Sequence, residues 1–114
     1  MIAVIFEFTP ADGRRQDYLD LTVKLRVELE KAEGFVSIER FESLTQPGRM
    51  VSLSFWRDEE AVRKWRNVEL HREAQAKGRG GIFSSYRLRV AEVKRDYTMS
   101  DREQAPEDSI AVHG

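Results

Sequence analysis

Hydrophobic and polar positions along the chain fall into two periods, two and about three and a half residues, and the switches between them mark out the elements. Ile2, Val4, Phe6 and Phe8 share one parity and Ala3, Ile5 and Glu7 the other, which predicts a strand over residues 1–9 with both faces mostly apolar and so covered on both sides. Pro10 and the Ala11-Asp12-Gly13 run break it, and a helix is predicted from there to about residue 32. Its stripe is Tyr18, Thr22, Leu25, Leu29 and Ala32, widened by Leu21, while Arg14, Arg15, Lys24, Arg26, Glu28, Glu30 and Lys31 form a solvated face of mixed sign. Gly34 is placed to end the helix, and residues 35–44 read as a second strand. Thr45-Gln46-Pro47-Gly48 is a tight-turn signal, and residues 50–56 return as a third strand, with Val51, Leu53 and Phe55 on one face and Ser52, Ser54 and Trp56 on the other. Strands two and three should form an antiparallel hairpin.

Asp58 is a good N-cap for a short helix with Glu59 and Glu60 in its first turn and Ala61, Val62 and Trp65 on its apolar side. Asn67 is predicted to cap a second helical segment, with Val68, His71 and Gln75 on one side, that ends at Gly78. The Gly78-Arg79-Gly80-Gly81 loop leads through Phe83 into a long strand over residues 85–97. Tyr86, Leu88 and Val90 take one face of it and Arg87, Arg89, Ala91 and Val93 the other, with a bulge expected near Val90-Ala91. Residues 98–114 have almost no apolar density and read as a polar tail, disordered or draped on a partner.

Strand, helix, strand, strand, helix, strand is the βαββαβ order of the α+β ferredoxin-like fold, with two helices on one face of a four-stranded antiparallel sheet. The other face still carries apolar residues, and a bare apolar sheet face is unusual for a monomer, so a homodimer packed sheet on sheet is expected. At 114 residues, 40% hydrophobic and 34% charged, the chain is one globular domain's worth, read as residues 1–97 plus the tail. No apolar run is long enough to span a bilayer and the N-terminus lacks signal-peptide features, which together predict a cytoplasmic protein with no membrane partner. The absence of cysteine removes thiol chemistry and thiolate metal sites, and a net charge of −1 gives no reason to expect nucleic acid.

Several residue groups resemble the antibiotic biosynthesis monooxygenase superfamily. They are Gly34-Phe35 at the start of strand two, Phe55-Trp56-Arg57-Asp58 at the end of strand three, the series Trp65, His71, Gln75, Gly78, Phe83 and Tyr86, and finally Val93 with Arg95-Asp96-Tyr97. The resemblance covers about residues 1–97 and implies a dimeric α/β barrel with one pocket per subunit between sheet and helices. It implies a cofactor-independent monooxygenase of a small aromatic or quinol-type substrate. Haem binding or degradation, or ligand binding without turnover, are the alternatives. The haem-degrading branch is expected to carry an asparagine in strand one, where this chain has Glu7 and Phe8.

The chemistry is expected to lie between Trp56 and Tyr97. His71 is the sole histidine inside the predicted fold, suited to act as a base, a hydrogen-bond donor or an iron ligand. With Trp65 and Tyr86 it makes up the candidate catalytic set. Trp56, Phe83, Arg87 and Phe6 are the candidate substrate-binding residues, the aromatic rings for a planar ligand and the guanidinium for an anionic or enolate one. Arg87 and Arg89 have a second reading, in which they pair with Glu39, Glu42 or Glu7. No metal site is predicted, because one histidine with scattered acids lacks convergent spacing. The glycine-rich loop lacks the context of a phosphate loop and reads as a flexible turn or pocket lid.

Overall fold

A computed structural model describes residues 1–76 and 81–113, with the side chains of 69–76 and of 113 outside that description. The elements are β1 (Ile2–Pro10), α1 (Arg15–Glu30), β2 (Phe35–Glu42), β3 (Met50–Trp56), α2 (Glu59–Ala76), β4 (Phe83–Glu92) and α3 (Glu107–His113). The four strands form one antiparallel sheet in the order β2-β3-β1-β4, the ferredoxin-like arrangement expected from the sequence.

Local sequence explains most of the boundaries. Gly34 stands at φ +81°, and a Cβ there would lie 2.6 Å from the Ala61 Cβ, so the α1–β2 turn needs glycine for both its dihedral and its close approach to α2. β2 stops at Glu42 because Ser43 turns the hairpin: its N–H donates to the Arg49 carbonyl at 2.9 Å and its hydroxyl accepts from the Gln46 N–H at 3.0 Å. The Asp58 side chain caps α2 as predicted, its Oδ1 accepting from the Ala61 N–H at 2.9 Å.

Three details differ from the expectation. α2 is a single helix through Asn67, since asparagine in a helix interior costs only a few tenths of a kcal/mol and the Ala61-Val62-Trp65 contacts outweigh it. β4 begins at Phe83 and ends at Glu92, short of Tyr97, because its partner β1 runs out: the last bond of the pair is Val93 N–H to the Met1 carbonyl at 2.9 Å. The register shift in that pair falls between Thr9 and Pro10, and the Val90-Ala91 region pairs without interruption. Beyond Tyr97, the polar residues close local hydrogen bonds such as Asp101 N–H to Thr98 Oγ1 at 2.8 Å and Asp96 N–H to Gln104 Oε1 at 2.9 Å, then form α3.

Register assigns the faces. Ile2, Val4, Phe6 and Phe8 of β1 lie beside Trp56, Ser54, Ser52 and Met50 of β3 and look toward the helices. Two apolar clusters form there. Ile2, Leu29, Trp56, Ala61, Val62 and Trp65 close one end, and Phe8, Tyr18, Met50 and Ile82 the other. The buried Ser52 and Ser54 lie between them in β3, where Ser54 Oγ accepts from the Trp56 indole N–H at 2.9 Å. The opposite face is open. Its centre is Val51, Leu53, Phe55, Ala3 and Ile5, bordered by Glu39 on the β2 edge and by Arg87 and Arg89 on the β4 edge.

Candidate functional site

On the helix-facing side, strand β1 carries phenylalanine at two successive inward positions, and the chain brings three more rings to them. Phe6 and Phe8 stack at 5.0 Å, Phe83 of β4 meets them edge-on at 5.3 and 5.2 Å, and Tyr18 of α1 closes over Phe8 at 4.5 Å. Tyr86 extends the group toward solvent, 5.6 Å from Phe6 and 6.3 Å from Phe83. Offset and edge-on ring pairs of this kind contribute roughly 0.5–1.5 kcal/mol each beyond the area they bury, so the floor is stiff.

Burial is graded across it. Phe8 and Tyr18 are buried, Phe6 and Phe83 half-buried, and Tyr86 is 66% exposed. Leu88 and Val90, next along the same face of β4, are also exposed. Edge strand β4 therefore leaves its inward-facing side chains uncovered by the described helices, and the floor opens there. Among the described residues, Arg40 of β2 reaches the far side of the group, donating from Nε to the Tyr18 hydroxyl at 3.0 Å.

The residues singled out from the sequence divide into four groups. Phe6, Phe83 and Tyr86 come together in the aromatic floor. Trp56 and Trp65 come together in the other cluster, ring centroids 5.9 Å apart, where they are 1% and 8% exposed and serve as packing between β3 and α2. Arg87 stands on the open face of the sheet, away from the floor. Its neighbour Arg89 takes the pairing alternative, with Nη1 2.7 Å from Glu7 Oε1. Glu42 pairs with Arg15 at 2.9 Å. The backbone of His71 lies in α2; its side chain, and Gly78, Arg79 and Gly80 of the predicted lid, fall outside the described residues.

Glu7 sits between two arginines on that open face. The hydrogen bond from Arg49 holds its carboxyl below the usual carboxylate range, burial opposes this, and the fields of Arg89, Arg49 and Arg87 add to the lowering. At neutral pH it is a carboxylate fixed by structural ion pairs, directed away from the floor.

Sequence reasoning missed Phe8, Tyr18 and Arg40 as site residues. Phe8 had a signal, being two residues from Phe6 on the same face, and Tyr18 was legible as the first member of the α1 stripe. Arg40 had none, because nothing along β2 announces that its side chain meets a residue twenty-two positions earlier.

The fold has counterparts in known proteins. The family model described as antibiotic biosynthesis monooxygenase matches residues 1–77. The chain belongs to that family. A relative named jasmonate monooxygenase ABM, from Pyricularia oryzae, is 43% identical over 121 residues, covering 98% of this chain and 55% of the relative. The chain spans about half the length of the curated relatives it matches. Two solved structures share the monooxygenase-family fold. SnoaB of Streptomyces nogalater, described as a cofactor-independent oxygenase, aligns with TM-score 0.67 and 11% identity over 83% of this chain and 94% of its own. The haem-degrader MhuD of Mycobacterium tuberculosis, solved with two haems in its active site, aligns with TM-score 0.65 and 17% identity over 86% of this chain and 100% of its own. Among the described residues no helix is long and apolar enough to cross a membrane, and no group of three metal-ligating side chains is assembled.

Proposed function

We propose that this chain is a monooxygenase domain for a small ring-bearing organic substrate, seated on the floor made by Phe6, Phe8, Phe83 and Tyr86. The observation that carries the reading is the floor itself: five rings in mutual contact, buried at one end and open to solvent at the other, on the helix-facing side of a sheet from this family. Family membership and the jasmonate monooxygenase relative support the oxygenase chemistry.

A substrate with an activated methylene beside an aromatic ring needs no further reagent. Loss of a proton gives a carbanion or enolate, which passes an electron to dioxygen. Recombination makes a C–O–O–H group, and loss of water breaks the O–O bond to leave a carbonyl, so CH2 + O2 gives C=O + H2O. The protein supplies a dry apolar seat, a base and a group that holds the oxyanion. We assign the base to His71 on chemical grounds, as the domain's sole histidine. Jasmonate, named for the relative, belongs in any substrate panel with an added two-electron reductant, since oxygen insertion into an unactivated C–H bond requires one.

Haem binding is the alternative reading; among the described residues the buried oxygen and sulfur donors of the floor are already engaged, the Tyr18 hydroxyl accepting from Arg40 and the Met50 sulfur from Arg15 at 3.9 Å. Glu7 points to the opposite face. A second copy of the chain belongs to the monooxygenase reading. The open sheet face has an apolar centre, an acidic residue on the β2 edge and two basic ones on the β4 edge. A two-fold axis parallel to the strands lays β2 of one copy over β4 of the other and brings Glu39 to Arg89.

The test is oxygen uptake by the purified protein presented with anthrones, hydroquinones and naphthols alone, and with jasmonate plus a two-electron reductant. Turnover above background with at least one substrate is expected, reduced roughly 10- to 100-fold in Phe6→Ala through loss of ring positioning and in His71→Ala through loss of the base. No uptake across the panel would contradict the reading and leave binding without turnover.

A further inference from the structure

Residues 94–113 fold on themselves and not on the domain that carries them. The last bond of β4 to the sheet is Val93 N–H to the Met1 carbonyl. Beyond it, the Arg102 guanidinium lies over the Tyr97 ring at 5.2 Å and donates to Ser109 Oγ at 2.9 Å, Gln104 and Thr98 accept from Asp96 N–H and Asp101 N–H, and Ala105 is buried inside the turn. None of these bonds reaches residues 1–92, and neither apolar cluster of the core includes a residue of this arm. The molecule is accordingly long, 55 Å in its greatest extent, with a radius of gyration of 16.7 Å against roughly 13 Å for a compact chain of this size. The seven-residue α3 is too short to hold its conformation in water unaided, so the arm needs a surface to rest on. It presents acids beside apolar groups: Glu107 stands three residues from the exposed Ile110 and Asp108 four from the exposed Val112, and neither acid has a cation within ion-pair distance among the described residues.

Helix α1 carries the complement. Val23, Val27 and Lys31, the residue that ends the helix, follow one another at intervals of four and so share one outward ridge, with Lys24 beside it. The valines are 71% and 57% exposed, and neither lysine meets a carboxylate among the described residues. Phe35, Trp56, Ile2 and Glu92 are cross-strand partners in turn, so β2 begins, four residues after Lys31, at the end of the sheet where β4 stops and the arm leaves. A two-fold axis that lays β4 of one copy over β2 of the other keeps these ends together and sets the root of the arm above the partner's α1–β2 turn. Within one copy, β2 and β4 are the two opposite edges of the sheet. We propose that the arm docks on the second copy, α3 lying along the partner's α1 with Ile110 against Val23 and Val27 and Glu107 toward Lys24 and Lys31. Each copy gives one arm and receives one. The inference rests on the dimer proposed above and adds to it an interface separate from the sheet faces.

The chain has no cysteine, so thiols placed singly report this contact without background. Val27→Cys and Ile110→Cys proteins are co-expressed so that mixed dimers form, checked by thermal melt and sedimentation, treated with a short bis-maleimide and digested for mass spectrometry. Neither chain carries both thiols, so a 27–110 link forms only between copies. It should be at least roughly tenfold more abundant than a 44–110 link from Leu44→Cys with Ile110→Cys, because docking raises the local concentration at one surface only. Leu44 is fully exposed and follows β2 at the opposite end of the sheet. Adding Lys24→Glu and Lys31→Glu to the Val27→Cys protein should cut the 27–110 link roughly threefold or more, by setting acids against Glu107. A dimer with no 27–110 link, or with one no stronger than the Leu44→Cys control, would overturn the docking and leave the sheet-face dimer in place. A link that forms when both thiols sit on one chain and is absent from the mixture would put the arm on its own α1 and overturn the exchange. A monomer in sedimentation would overturn dimer and exchange together.

Discussion

Single residues carry two of the sharper consequences. Gly34 combines a left-handed backbone with a contact in which a Cβ would meet Ala61 at 2.6 Å, so Gly34→Ala adds both dihedral strain and overpacking. The expected cost is on the order of 2–5 kcal/mol, read as a shift in the denaturant midpoint at unchanged slope; a shift under about 1 kcal/mol would show that the α1–β2 turn relaxes freely. Glu7 gives a pH signature. Its carboxyl is held low chiefly by the Arg49 hydrogen bond, so its contribution to stability is complete above the usual carboxylate pKa of about 4.3 and is lost as pH falls through the depressed value. Melting temperatures taken from pH 7 down to pH 3 should fall less steeply for Glu7→Gln than for wild type, and parallel curves would contradict the assignment. Phe6 and Tyr86 were legible as aromatic candidates from their alternation, whereas the Arg40–Tyr18 bond joins two elements that no local pattern relates.

Among the elements, α2 and β4 show where sequence patterns hold and where they fail. The Asp58 cap was readable because a capping acid before two glutamates has a local mechanism, and the bond to Ala61 N–H is there. Asp58→Ala should lower the melting temperature, while Asp58→Asn, which keeps an accepting oxygen, should retain most of it; equal losses would remove the cap from the account. Asn67 misled because the same residue type has a capping preference at a helix start and only a small penalty inside one. For β4, the alternation of Tyr86, Leu88 and Val90 correctly assigned them to one face. It gave no hint that these side chains stay exposed, because coverage depends on β4 being the edge strand of the order β2-β3-β1-β4, a property of the whole sheet. That uncovered edge is what turns a core of aromatic rings into a floor with a way in.

For the whole molecule, the two faces of the sheet divide the labour. The helix-facing side holds the candidate site, and the open side, apolar at its centre and oppositely charged at its two edges, fits a second copy. Sedimentation at micromolar concentration should give a dimer, and Glu39→Arg, which sets like charges opposite Arg89, should raise its dissociation constant at least roughly tenfold. A monomeric wild type would remove the second copy from the proposal. The most direct test of the central claim is the fate of dioxygen itself. Wild-type protein, free of added flavin, metal, haem or reductant, is supplied with isotopically labelled dioxygen and the substrate that gives the fastest uptake, and the products are weighed by mass spectrometry. The account predicts one labelled atom in each organic product and the other in water; a product that carries no label, or one that forms only when haem is added, would contradict it.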